Sequence, residues 1–406
     1  MTVNTLDLPT DKQGALHGIK VLDLSRVLAG PSCTQVLADF GAEVIKIERP
    51  DIGDETRHWA PPIFADNTSA YYATINRNKK SLTVDITTPA GQKIIRQLAV
   101  DSDILVENFK VNGLKKYGLD YESLKQSNPR LIYASLTGFG QTGPDAALPG
   151  YDYIIQGLSG LMSITGPVDG EPHKVGVAVV DLFAGLQLTI GIQAALIARQ
   201  RTGQGQLVDV ALFDSAISML ANVGMNHLAS GQVPPRLGNQ HPNIVPYQVF
   251  AAEGNQHFIL ACGNDQQFTK LCKVLGVDWY EDERFMTNPA RVVHRELLCG
   301  WLAQKFTEHS RVYWLDCLQQ ASIPSGAIHN IAEALGMPQT QAREMVVDFT
   351  NQGSPVKVLG NPIKLSDSSV IYRSPPPHLG EHTDSTLAAL GYDSDMIAKL
   401  RADGIV

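Results

Sequence analysis

Short apolar runs typical of buried strands alternate with segments of helical spacing through the first 140 residues, and this alternation is the strongest constraint on the fold. The runs are IKVLDL (19–24), AEVIKIE (42–48), SLTVDI (81–86), DILVEN (103–108) and LIYASL (131–136). Because strands separated by helices pair in parallel, the pattern predicts an α/β fold with helices on both faces of the sheet. Ligands of such sheets bind at the carboxyl ends of the strands. We therefore expect functional residues in the loops Ser25–Pro31, Arg49–Trp59, Asn108–Phe109 and Thr137–Pro144.

The rest of the sequence predicts a second, smaller domain. Helical segments over Gly113–Gln126 and 151–163 and a strand QLVDVAL (206–212) complete the first region. From about Tyr247 to Pro324 a strand-like run HFILACG and two helical segments indicate an α+β domain, and the tail from about Val356 is expected to be irregular. We predict a large domain over 1–222, a small domain over 223–325, and a return to the large domain over 326–406.

Length and charge exclude several classes of protein. The 406 residues allow two or three domains, and a net charge of −8 without a basic block lacks the footprint of a nucleic-acid binder. The five cysteines form no C-x-x-C pair and the histidines have no metal-ligand spacing, so we expect reduced thiols and no metal site. The N-terminal segment has no apolar core of a signal peptide, from which we expect a cytoplasmic location.

Asp181 is the one charged residue in a 24-residue apolar segment, VGVAVVDLFAGLQLTIGIQAALIA (175–198). The segment could span a bilayer by length alone, but the α/β pattern on both sides favours a buried helix and no membrane partner. A carboxylate among apolar residues is costly unless hydrogen bonds or a positive field offset the loss of hydration. Asp181 is therefore either the N-cap of this helix or a functional carboxylate at its N-terminus.

Two further features leave their alternatives open. The segment Thr137–Pro144 follows a strand, and its glycines permit either a plain turn or close approach by a ligand, although it is not a P-loop. His241 lies among turn residues, which favours a hydrogen-bonded loop histidine over a catalytic base.

Several stretches, in order from about residue 18 to the end, resemble the class III CoA-transferase family, which also contains α-methylacyl-CoA racemases. They are GIKVLDLSRVLAGPSCTQVLADFGAEVIKIERP, NRNKKSLTVD, VENFKVNGLKKYGLDYESL, NPRLIYASLTGFGQTGP, GVAVVDLFAGL, RTGQGQLVDVALFD and PPPHLGEHT. The resemblance implies an interlocked homodimer in which each chain has a Rossmann-like large domain built from both chain ends and a small domain between them. It also implies that Asp181 is a nucleophile that attacks an acyl-CoA thioester.

The resemblance assigns further positions to the binding of substrates. CoA is expected to contact Val27, Ala29, Arg49, Asn108, Phe109, Lys116 and Tyr117. The acyl pocket is expected to include Leu28, Trp59, Tyr71, Tyr151 and Asp152, and a glycine-rich loop at Gly263-Asn264-Asp265 is expected to cover the site. Acyl-CoA is the substrate in this scheme, and no metal takes part.

Within the family, the stretches RLGNQHPNIVPYQVF and NPIKLS resemble acetyl-CoA:oxalate CoA-transferases. This resemblance implies that acetyl-CoA and oxalate are the substrates. A succinyl-CoA:dicarboxylate CoA-transferase is the alternative, carried by RVLAGP and GLMSITGP. A racemase-type isomerase is disfavoured, because the position of the racemase histidine is Tyr151, and a tyrosine with a pKa of about 10 is a poor base at neutral pH.

Overall fold

Six parallel strands form the central sheet in the computed structural model, which describes residues 14–406. They are β1 (Lys20–Asp23), β2 (Glu43–Glu48), β3 (Lys79–Thr83), β4 (Ile104–Glu107), β5 (Ile132–Thr137) and β6 (Leu207–Ala211). Their order in the sheet is β3-β2-β1-β4-β5-β6, and every neighbouring pair is parallel. The predicted α/β class with a parallel sheet is confirmed.

Seven helices accompany these strands in the first part of the chain. They are α1 (Ala29–Asp39), α2 (Ala70–Ala73), α3 (Pro89–Val100), α4 (Tyr121–Leu124), α5 (Asp152–Leu158), α6 (Val179–Thr202) and α7 (Leu212–Ser218). The prediction of one long helix over Gly113–Gln126 is wrong. The segment forms a 3-10 turn at Lys115–Tyr117 and the short helix α4, and Gly118, with a φ of 64°, ends the 3-10 turn.

Helix α6 contains the apolar segment that the sequence singled out, except its first four residues, which precede the helix. Among residues 14–406 it is the one helix long and apolar enough to cross a membrane by length and composition, a test that core helices of soluble proteins also pass. Its inner face packs on α1, where Gly185 allows the helices to approach closely beside the Ala29 carbonyl. Its other face carries an exposed apolar stripe, Leu182, Leu186, Ile190 and Ile197. The prediction of a buried helix therefore holds for one face only.

A second compact unit comprises 161–174 and 221–337. It contains the antiparallel strands β7 (Tyr247–Ala252), β8 (Gln256–Ala261) and β9 (Ser325–Ala327), with the helices α8 (Ala221–Ser230), α9 (Asp265–Leu275), α10 (Asn288–Val293), α11 (Arg295–Phe306), α12 (Arg311–Gln320) and α13 (Ile331–Gly336). Its core combines aliphatic side chains with aromatic rings, among which Phe306 lies edge-on to both Phe258 and Trp314. The buried Arg291 donates to the carbonyls of Val245 and Phe285.

Residues 338–406 belong to the first unit, together with the described residues up to Gly160 and Val175–Leu220. They form α14 (Pro338–Ala342), the hairpin strands β10 (Val346–Asn351) and β11 (Ser354–Leu359), α15 (Thr383–Ala389) and α16 (Ser394–Ala402). The tail is thus more regular than expected, since α15 and α16 bury Leu387 and Ile397 in the core beside the sheet.

Candidate active site

A cleft of about 190 Å³ opens where the loops after β1, β4 and β5 meet. The strand order reverses between β1 and β4, and crevices at such a reversal are the usual ligand sites of open parallel sheets. Its lining includes Arg26 to Ala29 after β1, Asn108 to Val111 after β4, Thr137 and Gly138 after β5, and Asp181. The carboxyl-end loops expected from the sequence therefore lie together, including Arg49–Trp59, which contributes Glu55.

The loop between β1 and α1 is held in an unusual conformation. Val27 has a φ of 70°, in the left-handed region that a β-branched residue rarely adopts. Its backbone N–H donates to the Asp54 carboxylate, whose oxygens lie 3.2 and 3.4 Å away. The ammonium of Lys46, 2.9 Å from Asp54, also donates to the Ser25 carbonyl. A buried ion pair thus holds the strained loop against the cleft.

Burial acts to raise the pKa of Asp54, but the Lys46 ammonium and the Thr56 backbone N–H outweigh it and lower the pKa to about 2. Asp54 is therefore ionised throughout the neutral range. Asp54 lies in the loop Arg49–Trp59, where functional residues are expected, but the sequence singles out neither Lys46 nor Asp54, because an ion pair between β2 and the loop that follows it leaves no periodic signal.

Asn108 joins two of the loops at the cleft. Its side-chain oxygen accepts from the Arg26 N–H at 2.9 Å, and its side-chain nitrogen donates to the Arg26 carbonyl at 2.7 Å. The Arg26 guanidinium lies 5.2 Å from the centre of the Phe109 ring and pairs with Glu55 at 2.6 Å. Asn108 thereby ties the end of β4 to the loop after β1.

Asp181 lies in the first turn of α6 and lines the cleft. The described ion pairs of residues 14–406 do not include it. Burial, and second the negative charge of Asp152, raise the pKa of Asp181 to about 7. At neutral pH its carboxyl group therefore exchanges readily between the acid and the nucleophilic carboxylate.

The N-cap role considered for Asp181 belongs instead to another residue. The cap position of α6 is Ala178, which has no side-chain acceptor, and the backbone N–H groups of Val180 and Asp181 donate to Asp152. The Asp181 carboxyl group is therefore not needed as a helix cap and can face a substrate in the cleft. No local sequence pattern indicates this arrangement, because Asp152 lies 29 residues before Asp181 in the chain.

The expected substrate-binding residues divide into three groups. The cleft is lined by Val27, Leu28, Ala29, Asn108, Phe109 and Tyr151. Arg49 lines a neighbouring cavity of about 260 Å³ that shares Arg26 and Glu55 with the cleft. Five further expected residues of the first unit do not line the cleft. They are Trp59 and Tyr71, whose rings meet edge-on at 4.9 Å, Lys116 and Tyr117, which form a cation–π pair at 4.6 Å, and Asp152.

Gly263 and Asn264 lie in the second unit, at the start of α9. The Asn264 side chain caps α9 by accepting from the Gln267 N–H at 2.9 Å, and the Gln267 side chain accepts from the Gly263 N–H at 2.7 Å. His241 behaves as the sequence predicts, since its ring nitrogen accepts from the Asn243 N–H. Within residues 14–406, no cluster of three or more His, Cys, Asp and Glu side chains could hold a metal ion.

Comparison with known families gives one assignment over nearly the whole chain. The family model described as CoA-transferase family III matches residues 16–383. A succinate–glutarate CoA-transferase of Agrobacterium fabrum is 48% identical over 95% of this chain and 97% of the relative. The human succinyl-CoA:glutarate CoA-transferase is 40% identical over 96% of this chain and 90% of the relative. An acetyl-CoA:oxalate CoA-transferase of Acetobacter aceti is 39% identical over 88% of this chain and 91% of the relative.

Solved structures share the fold over nearly the whole chain. A CAIB/BAIF family protein from Brucella suis superposes with a TM-score of 0.82 at 47% identity, covering 93% of this chain and 100% of that one. A protein from Mycobacterium tuberculosis superposes with a TM-score of 0.82 at 29% identity, covering 92% of this chain and 99% of that one.

Proposed function

The chain belongs to CoA-transferase family III, and from that premise we propose that it transfers CoA between succinyl-CoA and a second small dicarboxylic acid, with Asp181 as the nucleophile. Relatives named for succinate and glutarate support this pair. The oxalate enzyme is less similar and covers less of the chain. The expected acetyl-CoA:oxalate pair therefore gives way to the succinyl-CoA:dicarboxylate alternative.

The observation that carries the proposal is the carboxyl group of Asp181 in the cleft. The other acidic residue of the lining, Glu55, is paired with Arg26, whereas the described ion pairs leave Asp181 without a cationic partner. A poorly hydrated carboxylate is a better nucleophile than a solvated one, and its pKa of about 7 leaves a large ionised fraction at neutral pH.

The proposed reaction uses this carboxylate for covalent catalysis. An Asp181 oxygen forms a bond to the thioester carbonyl carbon of succinyl-CoA and the carbon–sulfur bond breaks, which leaves a mixed anhydride and the CoA thiolate. The thiolate attacks the aspartyl carbonyl, succinate leaves, and an aspartyl-CoA thioester forms. The acceptor acid repeats the two steps in reverse and leaves as its CoA thioester, so that Asp181 is restored. Backbone N–H groups would stabilise the oxyanions.

The binding residues of the proposal come in part from the lining of the cleft and in part from the family resemblance. Arg26 and Lys110 place positive charge in the lining, which suits an anionic CoA thioester and a dicarboxylic acid. Arg49, in the adjoining cavity, is the proposed partner of the nucleotide end. The further proposed CoA contacts are Val27, Ala29, Asn108, Phe109, Lys116 and Tyr117, and the proposed acyl pocket comprises Leu28, Trp59, Tyr71 and Tyr151.

We also propose a homodimer, interlocked as the family resemblance implies. The exposed apolar stripe of α6, with Leu186 and Ile190 at its centre, supports this, because contiguous apolar surface of this kind marks interaction sites. The racemase alternative lacks support here, since the described lining of the cleft contains no histidine to act as a second base.

Intact-protein mass spectrometry tests the proposed chemistry. The native protein is mixed with succinyl-CoA, with and without glutarate, beside Asp181→Ala and the control Asp214→Ala, which removes an exposed acid from the first turn of α7. We expect a succinyl or CoA adduct and glutaryl-CoA from the native and control proteins, and neither from Asp181→Ala. Turnover by Asp181→Ala at the native rate would refute the nucleophile. Adduct without glutaryl-CoA would keep the mechanism and reject glutarate as the acceptor.

A further inference from the structure

The helix that carries Asp181 is capped by a side chain from a different helix. Asp152, in the first turn of α5, accepts the Val180 N–H at 2.8 Å and the Asp181 N–H at 3.3 Å on its Oδ1 atom. These N–H groups belong to the first turn of α6, whose donors lack partners within the helix. The Asp152 carboxylate therefore fixes the backbone of the residue whose side chain enters the cleft.

The second oxygen of Asp152 is also engaged. Gln156, one turn further along α5 and fully buried, donates from Nε2 to Asp152 Oδ2 at 2.6 Å. The Gln156 Oε1 atom in turn accepts from the Val175 N–H at 2.9 Å, in the segment that leads into α6. One carboxylate oxygen of Asp152 thus accepts from α6 and the other from Gln156. Asp152 is absent from the lining of the cleft.

Asp152 affects Asp181 through its negative charge as well as through its hydrogen bonds to α6. Burial is the larger cause of the raised pKa of Asp181 and the negative charge of Asp152 is the second. The phenol of Tyr71 also senses both carboxylates, since its own pKa is raised by burial, Asp181 and Asp152. The other charged groups of the cleft are Arg26, Glu55 and Lys110.

We propose that Asp152 is a positioning residue rather than part of the acyl pocket: it holds the first turn of α6 in place, and its negative charge opposes the ionisation of Asp181. This inference rests on the proposed role of Asp181 as the nucleophile. The positioning and the charge are separable, because a cap needs only an acceptor oxygen whereas the electrostatic effect needs an anion.

Two variants of Asp152 separate these effects. Asp152→Asn keeps an acceptor for the first turn of α6 and removes the charge, whereas Asp152→Glu keeps the charge and displaces the acceptor by one methylene. The rate of adduct formation with succinyl-CoA at subsaturating substrate, measured from pH 5 to 9, reports the ionisation of the free protein. We expect the acid limb of the native profile near pH 7. The limb should move down by about one pH unit in Asp152→Asn and stay in place, with a rate lowered about tenfold or more, in Asp152→Glu.

The position of the limb does not depend on how much active protein each preparation contains, so a merely structural role would not move it. An unmoved limb in Asp152→Asn overturns the inference. Adduct formation by Asp181→Ala would instead refute the proposed function, and the two failures are therefore distinguishable. If Asp152→Asn does not fold, Asp152→Ser, which also keeps an acceptor oxygen and removes the charge, takes its place. An unmoved limb in Asp152→Ser would then overturn the inference, and a limb moved to lower pH would support it.

Discussion

Glu107, the last residue of β4, is a buried acid whose removal should make the protein more stable at alkaline pH. Its Oε2 atom accepts the Phe109 N–H at 2.7 Å, and the Ser135 hydroxyl also hydrogen-bonds to it. Glu107→Gln preserves the shape, an acceptor for Phe109 and a donor for the Ser135 oxygen, but it cannot ionise. The variant therefore isolates the free energy of the buried charge.

The magnitude follows from the pKa of Glu107. Burial is the main cause that raises it from 4.5 to about 7, and the charge of Asp209 adds to the rise. The unfolded chain loses this proton first as the pH rises, so native stability is fully present below about 4.5 and is lost as the pH passes through 7. At about 1.4 kcal/mol per pH unit, the loss amounts to about 3 kcal/mol at pH 8.5 and to less than about 1 kcal/mol at pH 5.

Urea unfolding at pH 5 and pH 8.5, at one protein concentration, measures this difference in the free energy of unfolding. We expect Glu107→Gln to be more stable than the native protein by about 3 kcal/mol at pH 8.5 and by under about 1 kcal/mol at pH 5. Glu296→Gln, at an exposed position in the first turn of α11, is the control and should show no such pH dependence. An equal difference between native and Glu107→Gln proteins at both pH values would refute the reasoning.

Three further substitutions test the geometry of the first unit. Val27→Gly should relieve the left-handed backbone and raise the free energy of unfolding by about 1 kcal/mol, after allowance for the greater freedom of unfolded glycine; a loss of stability in urea would contradict the strain. Gly185→Ala should lower it by about 1–3 kcal/mol, because the new Cβ would collide with Ser32 Oγ and the α1 backbone, and unchanged unfolding would show that α1 can move away. Ile190→Glu should shift the sedimentation coefficient towards a single chain, whereas the exposed Val312→Glu on α12 should not; an unshifted Ile190→Glu protein would exclude the α6 stripe from the dimer interface.

The parallel sheet and its ligand-binding edge were predictable because strand and helix periodicities are local and carboxyl-end loops of parallel strands converge. The loops after β1, β4 and β5 do meet in one cleft. The long helix expected before residue 126 failed for a local reason too, since Gly118 interrupts it with a left-handed backbone. The regular structure of the C-terminal tail was underestimated, because the short helices α15 and α16 give only weak periodic signals in the sequence.

By itself the sequence determined the α/β class, the sheet edge where loops converge and the isolation of Asp181 in an apolar segment, because each depends on neighbours in the chain. Only the tertiary structure decided that Asp152 caps α6, and that Lys46 and Asp54 hold Val27 in its strained conformation. The contacts of Asp54 with Val27 and of Asp152 with α6 join residues 27 to 29 positions apart, and the electrostatic effect of the buried charges depends on the tertiary structure. Two hydrogen bonds, across 28 residues from Val180 and across 29 from Asp181, make Asp152 the cap of the helix, and the Asp181 carboxyl group proposed to react is not needed for that role.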